Sequence, residues 1–166
     1  EAEALIERTT DLIRESDFAD MRRGLAFNRI NAAIGAPETG AASGEAALER
    51  IIDDIAKAAG ILGEKDAATL AGYAWLTAAD ERARQGAWLE AARTAARGLA
   101  TLPGHRELTA ARKAYRDNYA IEIHNRAAAE FNKGNKDAMR KIIEEGLAEV
   151  PESALLKNDL ARLAQQ

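Results

Sequence analysis

The residues of this chain that could do chemistry are two histidines, three serines and several adjacent carboxylates, and their spacing argues against each reaction in turn. His105 and His124 fall in one helical stretch, where 19 residues place them about 28 Å apart, too far to share a metal ion. No cysteine is present to complete a metal site or to act as a nucleophile. Ser16, Ser43 and Ser153 stand at helix starts or in a loop, where hydroxyls cap and turn, and no G-x-S-x-G elbow surrounds them. "GAPETGAA", residues 35–42, has the Gly-x4-Gly spacing of a phosphate loop but continues with Ala41-Ala42 where Lys and Ser/Thr are required. Asp53-Asp54, Asp80-Glu81 and Glu144-Glu145 are neighbours about 100° apart on a helix, so they cannot face one another across a cleft as acid/base pairs must. The expectation is a non-catalytic protein with no cofactor and no metal.

The elements that position these residues are helical. Alanine dominates the 47% apolar share, aromatics are 5%, and valine occurs only at Val150, so the expected class is all-α with no sheet. A net charge of -4 is a poor match to nucleic acid as a general partner. One stretch leans the other way: Arg82, Arg84, Arg93, Arg97, Arg106, Arg112, Lys113 and Arg116 stand against only Glu90 and Glu107. It reads first as a solvated face and second as a surface for an acidic partner. No apolar run approaches the roughly 20 residues that span a membrane, and none resembles a secretory signal. The chain starts at Glu1 without a methionine, so it is expected to be a fragment or a processed form. The expected setting is a larger bacterial protein, soluble in the cytoplasm or periplasm.

Along the chain, Leu5, Thr9, Leu12 and Ile13 form a stripe over residues 2–15, and a second helix is expected from about Asp17 to Ile34. Residues 35–44, "GAPETGAASG", read as a flexible loop with nothing apolar large enough to anchor it. Leu48, Ile51, Ile52, Ile55 and Ala59 give a helix ended by Gly60, and Asp66 is placed to cap the next, which runs to about Gln85.

"GAWLEAARTAARGLATLP" (86–103) and "GNKDAMRKIIEEGLAEVP" (134–151) then share one punctuation: glycine, a second glycine twelve residues later, leucine and proline. A glycine supplies the left-handed residue of a tight turn, the following residues start a returning helix, and the proline ends it. Two αα-hairpins follow, at about 66–103 and 105–151, with Gly86 matching Gly134, Gly98 matching Gly146, and Pro103 matching Pro151.

The frame resembles the tetratricopeptide repeat, a 34-residue helix-turn-helix, over about residues 70–166. Trp75, Ala79, Gly86, Ala91 and Pro103 match its signature in the first copy, and Ala127, Phe131, Gly134, Leu147 and Pro151 in the more degenerate second. The copies lie 48 residues apart instead of 34, and the 14 extra residues fall in "HRELTAARKAYRDNY". The readings left open are one helix from about His105 to Lys133 or a break at Asp117-Asn118. If the helix is continuous, half of it needs a cover beyond its own hairpin partner, and the helices of residues 2–59 are the expected cover. Leu155, Leu156, Leu160 and Leu163 suit a capping helix over about 153–164.

The resemblance implies an α-solenoid of stacked hairpins, about eight helices in all, with residues 1–69 packing on the repeats. It implies a protein or peptide partner on the concave face, lined by Tyr73, Leu76, Asp80 and Arg84 in the first hairpin. Ile121, His124, Asn125, Ala128 and Asn132 line it in the second, and Asn158 and Arg162 in the cap. The leading expectation is therefore a non-catalytic interaction module. Homo-oligomerisation is the alternative, and a small-molecule binder or enzyme comes last.

Overall fold

Glycine and short polar turns divide the chain into helices too apolar on one side to stand alone, and each finds its cover in its neighbour. A computed structural model describes residues 15–164. Its helices are α1 (Glu15–Ile34), α2 (Glu45–Leu62), α3 (Glu64–Arg84), α4 (Trp88–Thr101), α5 (Arg106–Asn132), α6 (Lys136–Glu149) and α7 (Ala154–Leu163). One 3-10 turn, Ala41–Ser43, links α1 to α2, and the described residues contain no strand. Each helix packs on the next in sequence, and α3 also touches α5, as α5 touches α7. No helix of the described residues is long and apolar enough to cross a membrane.

The two repeated turns coincide in their bonding. Gly86 has φ +78° and Gly134 φ +82°, the left-handed region that a side chain enters only with strain. The Gly86 amide donates to Ala83 O at 2.9 Å and the Ala87 amide to Arg82 O at 2.9 Å. In the second turn Gly134 donates to Phe131 O at 2.9 Å and Asn135 to Glu130 O at 3.0 Å. These are Schellman closures, which satisfy carbonyls that the helix end would otherwise orphan.

The match continues to the other end of each hairpin. Leu102 donates to Gly98 O and Val150 to Gly146 O. His105 and Ser153 then cap α5 and α7, accepting from the amides of Leu108 and Leu156, each at 3.4 Å. Gly98 and Gly146 are the contact points: a Cβ would stand 2.8 Å from Trp75 Cγ in the first and 2.6 Å from Ile123 Cγ2 in the second. The Arg97 guanidinium lies over the Trp75 ring, 5.1 Å from its centre.

Helix α5 is continuous through Asp117-Asn118, 27 residues or about 40 Å long. It carries two cores. Leu108 and Tyr115 in its first half join Trp75, Leu70, Leu62 and Leu48 of α2–α4 in one cluster. Ala120, Ile123 and Ala127 in its second half join Ile143, Val150 and Leu156 in another. Burying each of these leucines and isoleucines contributes roughly 1.5–3 kcal/mol.

Several expectations are corrected. The cover for the first half of α5 is the first hairpin, α3 and α4; α1 and α2 pack on each other and on α3 without reaching α5. The reason is that α3, 21 residues long, is itself apolar enough to be shared between α2 and α5. Helix α2 runs through Gly60 to Leu62, because Leu62 is fully buried and Gly63, at φ +77°, supplies the turn instead. Asp66 caps nothing; it lies in the first turn of α3 and pairs with Arg23 of α1 at 2.8 Å. Within residues 35–44 the anchor is Ala41, which has no exposed surface, while Ser43 Oγ donates to Gly40 O and Arg50 to Thr39 O. The stripe of Leu5, Thr9, Leu12 and Ile13 lies outside the described residues; within the described residues there are seven α-helices.

Candidate functional site

The residues expected to line a groove sit on α3, α5 and α7, and hydrogen bonding sorts them into those tied within the chain and those free. Asp80 of α3 accepts a hydrogen bond from the Tyr115 hydroxyl of α5. Burial, and then this carboxylate, pushes the Tyr115 phenol above its ordinary range. His124 of α5 lies with Nδ1 2.6 Å from Asp159 Oδ2 of α7. Both pairs are 35 residues apart in sequence, so α3 to α5 and α5 to α7 are latched by the same kind of polar contact. Arg84 bonds Glu81 one turn back at 2.5 Å. Leu76 packs against the first core.

Four polar residues of the expected set remain open. Asn125, Asn132, Asn158 and Arg162 are exposed, and their side chains make no hydrogen bond or ion pair among the described residues. Two apolar residues accompany them at equivalent places: Tyr73 is 46% exposed and Ile121, 48 residues later, 48%. The set does not form one continuous cluster. The first half of α5 meets α3 through Tyr115 at Asp80 and through the core against which Leu76 packs. Ala128 and Arg162 do meet, in a cavity of about 220 Å³ whose other walls are Phe131, Met139, Asp159 and Leu163.

Of the eight cations in the stripe, Arg82, Arg93, Arg97 and Arg116 pair with acids from distant segments. Arg82 and Arg97 both pair with Glu45 of α2, Arg93 with Glu90 and Glu149, and Arg116 with Glu152. Lys113 pairs with Asp117 at 2.7 Å. Arg106 and Arg112 make no hydrogen bond or ion pair among the described residues. Arg116 also donates to Glu149 O, so it braces the turn between α6 and α7.

Sequence reasoning missed Asp159, the Tyr115–Asp80 hydrogen bond and the Arg116–Glu152 pair. Asp159 is 5% exposed, and a buried acid on a leucine-rich helix has no local signature. The available signal was the 35-residue separation that links it to His124. Among the described residues no group of three or more His, Asp or Glu could hold a metal ion. Comparison of the chain with family models, with curated proteins and with solved structures finds no match.

Proposed function

We propose that this chain is a non-catalytic interaction module, built as a tetratricopeptide-like α-solenoid, that binds a protein or peptide on the face formed by α3, α5 and α7. The observation that carries the reading is the set of exposed side chains on that face with no partner of their own. Tyr73 and Ile121 offer apolar anchors at equivalent places in the two hairpins. Asn125, Asn132, Asn158 and Arg162 offer donors and acceptors suited to a peptide backbone. Exposed helix positions gain more from Ala, Glu or Lys than from asparagine, so three asparagines there have no local stabilising role.

The test is selection of peptides on the immobilised chain, followed by the triple change Tyr73→Ala, Asn158→Ala, Arg162→Ala. Binding should weaken at least tenfold, about 1.4 kcal/mol, with the thermal midpoint unchanged. Undiminished binding by the triple variant would remove this face from consideration.

A second reading is favoured by one feature of α1. Phe18, Met21 and Leu25 share its outward side and are 40%, 60% and 71% exposed, an apolar stripe of the sort that subunit contacts cover. Self-association through α1 would make the chain an oligomerisation element. Sedimentation over a concentration series separates the two readings: a mass that rises with concentration, and falls back in Met21→Glu/Leu25→Glu, favours self-association.

A further inference from the structure

We propose that the notch beside the middle of α5 docks an acidic, aliphatic peptide segment of a protein partner. This rests on the interaction reading above and names the chemistry of what is bound. It is carried by a position that is plugged in the first hairpin and open in the second. In the first, the His105 imidazole packs onto Gly72 so closely that a Cβ at residue 72 would fall on the ring. Forty-eight residues later the same two places hold Ser153 and Ala120. Ser153 keeps the capping contact to the Leu156 amide that His105 makes to Leu108, but it has no ring to fill the space.

What remains is a cavity of about 470 Å³ whose lining includes Ala120, Ile121, Ser153 and Leu155 together with Lys113 and Arg116. A second cavity, about 330 Å³, continues past Arg116 to Leu99 and Arg112. The extra turns of α5 create this length of exposed helix, because they hold the two hairpins apart.

The lining specifies the occupant. Ile121 and Leu155 make an apolar floor for an aliphatic side chain. On the rim, Arg116 is matched by Glu152 and Lys113 by Asp117, which leaves Arg112 as one uncompensated positive charge. The Glu152 carboxyl is held below its usual range by a hydrogen bond from its own backbone amide, and then by Arg116 and Arg112, so the field of both arginines reaches the notch. The Lys113–Asp117 pair is a solvated i,i+4 contact of small worth, so Lys113 can turn to an incoming carboxylate at little cost. Single-stranded nucleic acid fits less well: no aromatic side chain lines either cavity for a base to stack on.

The probe is a fluorescein-labelled octapeptide of alternating Glu and Leu, titrated by anisotropy into the full chain, with Glu/Ser and Lys/Leu peptides beside it. The Glu/Leu peptide should saturate below about 1 mM, and the other two should bind at least tenfold more weakly. Two double variants then test the site. Arg112→Ala/Lys113→Ala removes the charge, and Ala120→Gly/Ser153→His transplants the first hairpin's plug while keeping a capping side chain. Each should weaken the Glu/Leu peptide at least tenfold, with thermal unfolding confirming that the variants fold. Should the plugged variant fail to fold, the charge variant alone decides. Undiminished binding by a folded variant, equal binding of the Lys/Leu peptide, or tighter binding of single-stranded RNA would overturn the proposal. If peptides selected on the α3/α5/α7 face still bind the plugged variant, the interaction reading survives and the notch alone is lost.

Discussion

His124 Nδ1 and Asp159 Oδ2 lie 2.6 Å apart, joining α5 to α7 at the same 35-residue separation at which Tyr115 and Asp80 join α5 to α3. The two partners are unequally exposed, with side-chain exposures of 38% for His124 and 7% for Asp159. Removing each therefore has a different cost. His124→Ala leaves a carboxylate buried without a partner and should destabilise by about 3 kcal/mol. Asp159→Ala leaves an imidazole that water can reach and should cost about 1 kcal/mol. Urea unfolding of both variants checks the order, and a larger loss for Asp159→Ala would show that the pair is not held by the buried acid.

The four repeated glycines divide into two kinds. At Gly86 and Gly134 nothing lies within 4 Å of where a Cβ would stand, so a side chain meets only backbone strain at positive φ. Gly→Val there should cost about 1–2 kcal/mol, nearly the same at both sites, and Gly→Asn less. At Gly98 and Gly146 the backbone is helical and the obstacle is Trp75 or Ile123. Gly→Ala there should cost about 1–3 kcal/mol from overpacking, less the gain of up to about 1 kcal/mol in helix propensity. Thermal unfolding in which Asn is tolerated at 98 and 146 but not at 86 and 134 would invert this assignment.

Tyr115 makes stability depend on alkaline pH. Its phenol titrates above the ordinary value in the folded chain because burial, and then Asp80, disfavours the phenolate. The folded state thus holds the proton more tightly than the unfolded one. The stability this contributes is complete below the unfolded value, about 10, and is lost as pH rises beyond it. Tyr115→Phe should lose little at pH 8 and should show a shallower decline of the thermal midpoint between about pH 10 and 11.5. Parallel declines in the two proteins would assign the alkaline sensitivity elsewhere.

The two cores should open separately. Leu156 is fully buried in the second cluster and Leu108 in the first, at equivalent positions of α7 and α5. Leu→Ala at either should cost about 2–5 kcal/mol. In native-state hydrogen exchange, Leu156→Ala should lower protection in α6, α7 and the second half of α5, sparing α2 and α3. Leu108→Ala should do the reverse. Uniform loss of protection in both variants would mean that α5 couples the cores into one cooperative unit.

Local chemistry made part of this molecule legible from the chain alone. Alanine-rich composition with a single valine settles the all-α class, because propensity summed over so many residues leaves no segment that prefers a strand. Gly86, Gly134, Pro103 and Pro151 mark the hairpin ends, since left-handed backbone and a missing amide are properties of single residues. Where the competing signals are equal in kind, the sequence was silent or misleading. Gly60 and Gly63 are both helix-ending glycines, and burial of Leu62 decides between them. Asp66 has the type and place of a cap, but Arg23, 43 residues away, claims it. The basic stripe is real as a string of letters, yet Glu45 and Glu149 arrive from other helices to pair with Arg82, Arg97 and Arg93. Asp159 and Asn158 are adjacent, and only packing tells which turns inward to His124 and which stays in water. Pairings of this kind depend on distances between segments far apart in the chain, and no local propensity encodes them.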